Sequence, residues 1–257
     1  MSTCTEQQRV TCALGGIYTA LAIEKVLPVL HCGPGCEQQA GTVLGRANGG
    51  QNSYPLQDTV IPCSDFCETD VVFGGTEKLR KLIDKSIDYF DSDLLIAVSG
   101  CTSEIIGDDI EEVANTFEDR EVPVLHAKLP GFKGGNTYGH TQILKAIIEQ
   151  YLKPTGKVNP KQVNIWGIVP FYDPFWLGTL EKIEKLLVEI GLEPNIIYGR
   201  NKGIKDVDKI PSAGFNILLS PWIDLEIVQE LEEKYNTPYL HFPNLPIGPT
   251  EDRKSVV

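Results

Sequence analysis

Cys12, Cys36 and Cys101 each stand where a glycine-rich turn runs into a helix-forming segment. The strings are Cys12-Ala-Leu-Gly-Gly16, His31-Cys-Gly-Pro-Gly-Cys36 and Ser99-Gly-Cys101-Thr-Ser-Glu-Ile-Ile-Gly-Asp-Asp-Ile110. Thiolates are soft donors suited to iron–sulfur clusters, and glycine lets the backbone approach an inorganic group closely. Amides at the start of a following helix turn partial positive charge toward an anionic cluster. Three thiolates from separate loops can hold one face of such a cluster and leave the remaining coordination to another chain.

The other four of the seven cysteines are Cys4, Cys32, Cys63 and Cys67. An odd count in a chain of 257 residues argues for reduced thiols rather than a disulfide framework. Cys32-x-x-x-Cys36 and Cys63-x-x-x-Cys67 each place two thiols on one face if helical, which admits an auxiliary zinc or second-cluster site; buried free thiols are the alternative. Cys4, near the amino terminus, carries no assignment beyond that of a small apolar side chain.

The elements that must position these residues alternate apolar, β-branched runs with segments of helical period, as in parallel α/β architecture. Strands are expected at 28–31, 93–99, 123–128, 163–169, 193–198, 216–220 and 239–242, and helices at 76–90, 103–117, 141–151, 175–190 and 224–235. The string Lys153-Pro-Thr-Gly-Lys-Val-Asn-Pro160 interrupts the pattern and divides the chain into two α/β, Rossmann-like domains, 1–155 and 156–257, with mainly parallel sheets flanked by helices. The second opens without a G-x-G-x-x-G turn. Pro170-Phe-Tyr-Asp-Pro-Phe-Trp176 follows its first strand with bulk that disfavours a dinucleotide.

A formal net charge of −12, from 35 acidic against 23 basic residues, excludes a phosphate-binding surface spread over the chain, so nucleic acid is not an expected partner. No apolar stretch reaches membrane-spanning length and the first residues lack a secretory signal pattern, so no membrane association and a cytoplasmic location are expected.

In order along the chain, four motifs resemble those of the nitrogenase component 1 family, which comprises dinitrogenase subunits, their cofactor-assembly scaffolds and dark-operative tetrapyrrole reductases. His31-Cys-Gly-Pro-Gly-Cys36 resembles His-Gly-Pro-x-Gly-Cys, and Asp65-Phe-Cys-Glu-Thr-Asp-Val-Val-Phe-Gly-Gly75 resembles Asp-Phe-x-Glu-x-Asp-Ile-Val-Phe-Gly-Gly. Cys101-Thr-Ser-Glu-Ile-Ile-Gly-Asp-Asp-Ile110 is similar to Cys-Pro-x-x-Leu-Ile-Gly-Asp-Asp-Ile, and Gly131-Phe-Lys-Gly134 with Gly139-His140 to Gly-Phe-Arg-Gly with a downstream Gly-His.

The resemblance implies that Cys12, Cys36 and Cys101 supply one subunit's ligands to an iron–sulfur cluster, [4Fe–4S] or larger, shared across a subunit interface. It implies a related subunit or a second copy as partner and an ATP-dependent iron protein as electron donor. It places His140 beside the active-site cavity of catalytic members, as a candidate proton donor; a histidine bonded to its own surroundings is the other reading. It also brings Ser220, in Leu218-Leu-Ser-Pro-Trp222, to the place of the cysteine that anchors the molybdenum–iron cofactor, and the chain is expected to end before the family's third domain. Two functions follow as expectations: a subunit of a nitrogenase-like reductase, or a non-catalytic scaffold for cluster assembly. His31 is expected to position its turn, His126 and His241 to be structural, and Asp108-Asp109 either to bond neighbouring amides or to form a solvated face.

Overall fold

The computed structural model describes residues 11–47, 61–172, 174–220 and 222–241. Cys4, Phe242 and the string from Gly248 lie outside the described residues. The chain divides into two compact units, 1–151 and 152–257.

In the first unit a single 3₁₀ turn, Ala13–Gly16, leads into α1 (Ile17–Leu21), β1 (Val26–His31) and α2 (Pro34–Ala47). After α3 (Glu68–Phe73) and α4 (Thr76–Tyr89) come β2 (Leu94–Ser99), α5 (Cys101–Ile106), α6 (Ile110–Asn115), β3 (Val124–Lys128) and α7 (Asn136–Ala146), the last continued by a π-helical turn over Ile147–Tyr151. The three strands are parallel in the order β1-β2-β3. Every residue of β1 and β2 is buried, as a strand covered on both faces requires. Leu27 and Val29 of β1, Leu95 and Ala97 of β2, Leu79 and Ile83 of α4, and Ile110 and Val113 of α6 form one core cluster. Burying each of these larger aliphatic side chains contributes about 1.5–3 kcal/mol before entropy is counted.

The expected helix at 103–117 is two helices. Gly107 at φ +81° ends α5, and the Asp109 carboxylate caps α6 by accepting from Glu111 N and Glu112 N at 3.1 Å. The helix expected at 141–151 starts earlier, at Asn136. The helix expected to follow the turn at Cys36, to which the sequence reading assigns no range, begins inside that turn, at Pro34.

The second unit comprises β4 (Asn159–Trp166), α8 (Trp176–Glu189), β5 (Glu193–Asn195), α9 (Ile204–Val207), β6 (Ala213–Leu218), α10 (Leu225–Tyr235) and β7 (Tyr239–His241). Its parallel strands run in the order β5-β4-β6-β7, so the direction of winding reverses between β4 and β6. Ser220 follows β6 at this switch point, where a Cβ on Gly167 would lie 2.7 Å from Ser220 N. β5 is shorter than expected: Ile196, Ile197 and Tyr198 are buried but continue past the ladder. Among the described residues no helix is long and apolar enough to cross a membrane.

Asn195, Asn164 and Asn216 lie in register across β5, β4 and β6. Asn195 Nδ2 donates to Asn164 Oδ1 at 2.9 Å; Asn164 Nδ2 and Trp166 Nε1 both donate to Asn216 Oδ1 at 2.9 Å. Replacing Asn216 with alanine leaves two buried donors without that acceptor and is expected to destabilise the second unit by about 3 kcal/mol. Urea unfolding checks this; an unchanged midpoint removes the network from the account of stability.

Candidate metal centre

The three cysteines singled out by their glycine-rich turns stand at comparable places in their elements. Cys12 caps the 3₁₀ turn, Cys36 lies in the first turn of α2, and Cys101 opens α5 after Gly100. Each thiol is half-buried.

Two of them converge on Gly131. A Cβ built there would lie 3.4 Å from both Cys12 Sγ and Cys101 Sγ and 3.0 Å from Cys12 Cβ. The missing side chain therefore leaves a cradle with a sulfur on two sides. Gly131 N–H donates to Cys101 Sγ at 3.0 Å. A bridge between Cys12 and Gly135 holds the Cys12 turn against the same loop.

Cys36 belongs to a second sulfur group. It follows Cys32 by four residues, and Cys32 Sγ lies 3.9 Å from Cys63 Sγ. Cys32 is fully buried, and its pKa is pushed up by the hydrogen bonds to Cys36 and Cys63 and then by burial. Cys36 is pushed down to about 6, because Cys32 supplies a hydrogen bond that outweighs burial. The Cys63 thiol is lowered for the same first reason. In the metal-free chain, Cys36 alkylation by iodoacetamide is therefore expected to rise through about pH 6, and Cys32→Ala to move that midpoint upward. Peptide-resolved alkylation rates measure it, and an unshifted midpoint in the variant refutes the Cys32 contribution.

The helical-face reading of Cys63 and Cys67 is corrected. Cys63 is in an irregular segment, while Cys67 caps α3 and is exposed, its Sγ within 3.0 Å of Thr69 Oγ1 and 3.1 Å of Asp70 Oδ2. Among the described residues no group of three or more His, Cys, Asp or Glu side chains is arranged to hold a single metal ion. A polynuclear cluster differs in that it spreads its thiolates over several iron atoms.

His31 ties the turns together. It is fully buried, with Nε2 2.9 Å from Asp108 Oδ2 and Nδ1 3.1 Å from Ser64 Oγ. Burial lowers its pKa, against the opposing pull of Asp108, so the neutral ring donates from Nε2 to the carboxylate and accepts at Nδ1. Asp108 also accepts from Gly75 N at 2.9 and 3.1 Å, while Ser64 Oγ accepts from Cys32 N at 3.1 Å. Asp108 and Asp109 thus both bond backbone amides. Sequence reasoning foresees a positioning role for His31 but misses Ser64, whose signal is only spatial.

His140 is fully buried on α7, with Nδ1 2.7 Å from Thr19 Oγ1 of α1. This contact joins it to a helix-packing interface. His126 exchanges backbone bonds with the Gln150 side chain at 2.9 Å, and His241 is exposed on β7.

Comparison with known proteins agrees with this architecture. A light-independent protochlorophyllide reductase chain of Bradyrhizobium sp. strain BTAi1 is 24% identical over 249 residues, covering 93% of this chain and 46% of that protein. The nitrogenase molybdenum-iron protein alpha chain of Alcaligenes faecalis is 28% identical over 242 residues, 91% and 48% of the two chains. NifE of Bradyrhizobium diazoefficiens, a nitrogenase iron-molybdenum cofactor biosynthesis protein, is 24% identical over 245 residues, 92% and 43%. The chain thus spans about half the length of these relatives. The solved structure of nitrogenase Cp1 at pH 6.5 superposes with a TM-score of 0.79 at 20% identity, over 100% of this chain and 59% of that one, which establishes a shared fold. Residues 11–256 match the family described as nitrogenase component 1 type oxidoreductase, and the chain belongs to that family.

Proposed function

We propose that this chain is the iron–sulfur cluster-binding subunit of a nitrogenase-like, two-component reductase that receives electrons from an ATP-dependent iron protein. The observation that carries the reading is the convergence of Cys12 and Cys101 on the open cradle over Gly131. Cys12, Cys101 and Cys36 hold the cluster from the first domain, and a related subunit or second copy completes its coordination. When bound, the cluster stores and releases single electrons. The protein's part is to position the thiols: Gly131 N–H holds Cys101 Sγ, neighbouring Cys32 favours the Cys36 thiolate, and the His31–Asp108–Gly75 bonds fix the surrounding turns.

An apolar surface beside this centre supports the partner assignment. Val72 and Phe73 of α3 are 71% and 85% exposed, and Ile105 of α5, on which α3 packs, is 73% exposed. Such a patch at the foot of the helix that Cys101 opens suits a docking protein. Anaerobic iron and acid-labile sulfide analysis, followed by reduction with an iron protein and ATP, tests the proposal. Phe73→Asp is expected to keep its iron while losing most of its ATP-dependent reduction. A chain that takes up no iron after reconstitution, or that is reduced without the iron protein, overturns it.

A second reading, a non-catalytic scaffold for metallocluster assembly, is favoured by Ser220. A neutral serine hydroxyl at the switch point of the second unit is a far poorer metal ligand than a thiolate. Transfer of an intact cluster to an acceptor protein, without substrate turnover, would select this reading.

A further inference from the structure

Cys32 and Cys63 have no place in the three-cysteine ligand set, yet the backbone brings them together from 31 residues apart. Leu30 N donates to Pro62 O at 2.8 Å and Ser64 N to Leu30 O at 2.9 Å, which docks the Cys63 segment alongside the end of β1. Cys32 N is held by Ser64 Oγ at 3.1 Å, and Cys32 O accepts from Phe66 N at 3.2 Å. Between these anchors the two sulfurs lie 3.9 Å apart. Disulfide formation closes them to about 2 Å, a movement within reach of side-chain rotation. Cys32 is enclosed on another side: a Cβ on Gly100 would stand 2.8 Å from Cys32 Cβ.

We propose that Cys32 and Cys63 form a reversible dithiol–disulfide couple that exchanges with low-molecular-weight disulfides. Cys63 is half-buried and reachable from outside, whereas Cys32 is fully buried, which sets the order of events. The Cys63 thiolate attacks one sulfur of the external disulfide, forming a mixed disulfide and releasing one thiolate. Cys32, deprotonated as it reacts, attacks Cys63 Sγ, forms the internal bond and expels the second thiolate. Two protein thiols are oxidised, one external disulfide is reduced to two thiols, and the two protons pass to those products. The couple itself stands without any bound metal.

The test treats the full metal-free chain with oxidised glutathione under anaerobic conditions, followed by alkylation and peptide mapping. The expected product is a Cys32–Cys63 crosslink, with two thiols lost and both recovered by dithiothreitol. Cys63→Ser should give no crosslink and Cys32→Ser a persistent glutathione adduct on Cys63. A persistent adduct on Cys63 in the unaltered chain, a Cys32–Cys36 bond instead, or no loss of thiols overturns the couple. A chain that forms the crosslink but binds no iron refutes the cluster reading and leaves the couple standing.

Discussion

Cys101→Ala is expected to lose at least about nine-tenths of the reconstituted iron while the first unit stays folded, since even a partner of a ligand commonly changes metal affinity by about tenfold or more. Two features favour so clean a separation. Alanine is a good helix former at the first position of α5, and the bond from Gly100 N to Ser103 Oγ at 3.0 Å is independent of the thiol, so the helix start survives. The sulfur, by contrast, is one of the two that face the cradle, and it accepts from Gly131 N–H at 3.0 Å. Cys67→Ala is the control, because Cys67 is exposed and bonded to Thr69 and Asp70. Iron analysis and urea unfolding on both variants decide the matter. Full iron retention in Cys101→Ala removes Cys101 from the ligand set, and equal iron loss in both variants points to misfolding instead.

The parallel strands are legible in the sequence because β-branched runs that must be buried on both faces leave an unbroken apolar signal, as in Leu94–Ser99. That signal reports burial rather than pairing. Ile196, Ile197 and Tyr198 carry the apolar signal of that segment, although the ladder with β4 pairs only Glu193–Asn195 and ends there. Helix ends leave weaker marks than periodicity does: Ile110 and Val113 continue an apolar pattern across Gly107-Asp108-Asp109, where glycine stops one helix and Asp109 starts the next. The start of α2 is hidden from the sequence reading because Gly33-Pro34-Gly35 carries the marks of a turn, whereas proline also suits a first helical position.

The site is legible as far as local context reaches. Cys12, Cys36 and Cys101 declare themselves by neighbouring glycines, and the convergence of the first and last on Gly131 adds what spacing cannot supply. The contact between Cys32 and Cys63 depends on how the segment through Ser64 docks on β1, a tertiary fact with no periodic trace. His140 shows the limit from another side: its motif leaves a catalytic and a structural role both open, and its full burial with Nδ1 2.7 Å from Thr19 Oγ1 adds a helix-packing contact that spacing cannot show.

That packing interface carries the other large effect. Gly139→Ala is expected to abolish the cooperative unfolding transition of the first unit, or to lower its stability by more than about 4 kcal/mol, the far tail for a single substitution. A Cβ at Gly139 would stand 1.9 Å from Ala13 O and 2.7 Å from Gly16 N, and reciprocally a Cβ at Gly16 would stand 2.4 Å from Gly139 O. Both neighbours are backbone, so no side-chain rotation relieves the overlap; α7 and the 3₁₀ turn must separate, which breaks close packing along α1 and the Thr19–His140 bond at 2.7 Å. Cys12 caps that turn, so iron binding falls with the fold. Gly131→Ala provides the contrast. Its nearest obstacles are Cys12 Cβ at 3.0 Å and the two sulfurs at 3.4 Å, so it fills the cradle with a methyl group while asking only for small local shifts. The expected pair of results is a folded Gly131→Ala chain depleted of iron and a Gly139→Ala chain that has lost both. Urea unfolding with iron analysis distinguishes them, and a Gly139→Ala protein as stable as the unaltered chain would overturn the backbone contact on which Cys12 is set.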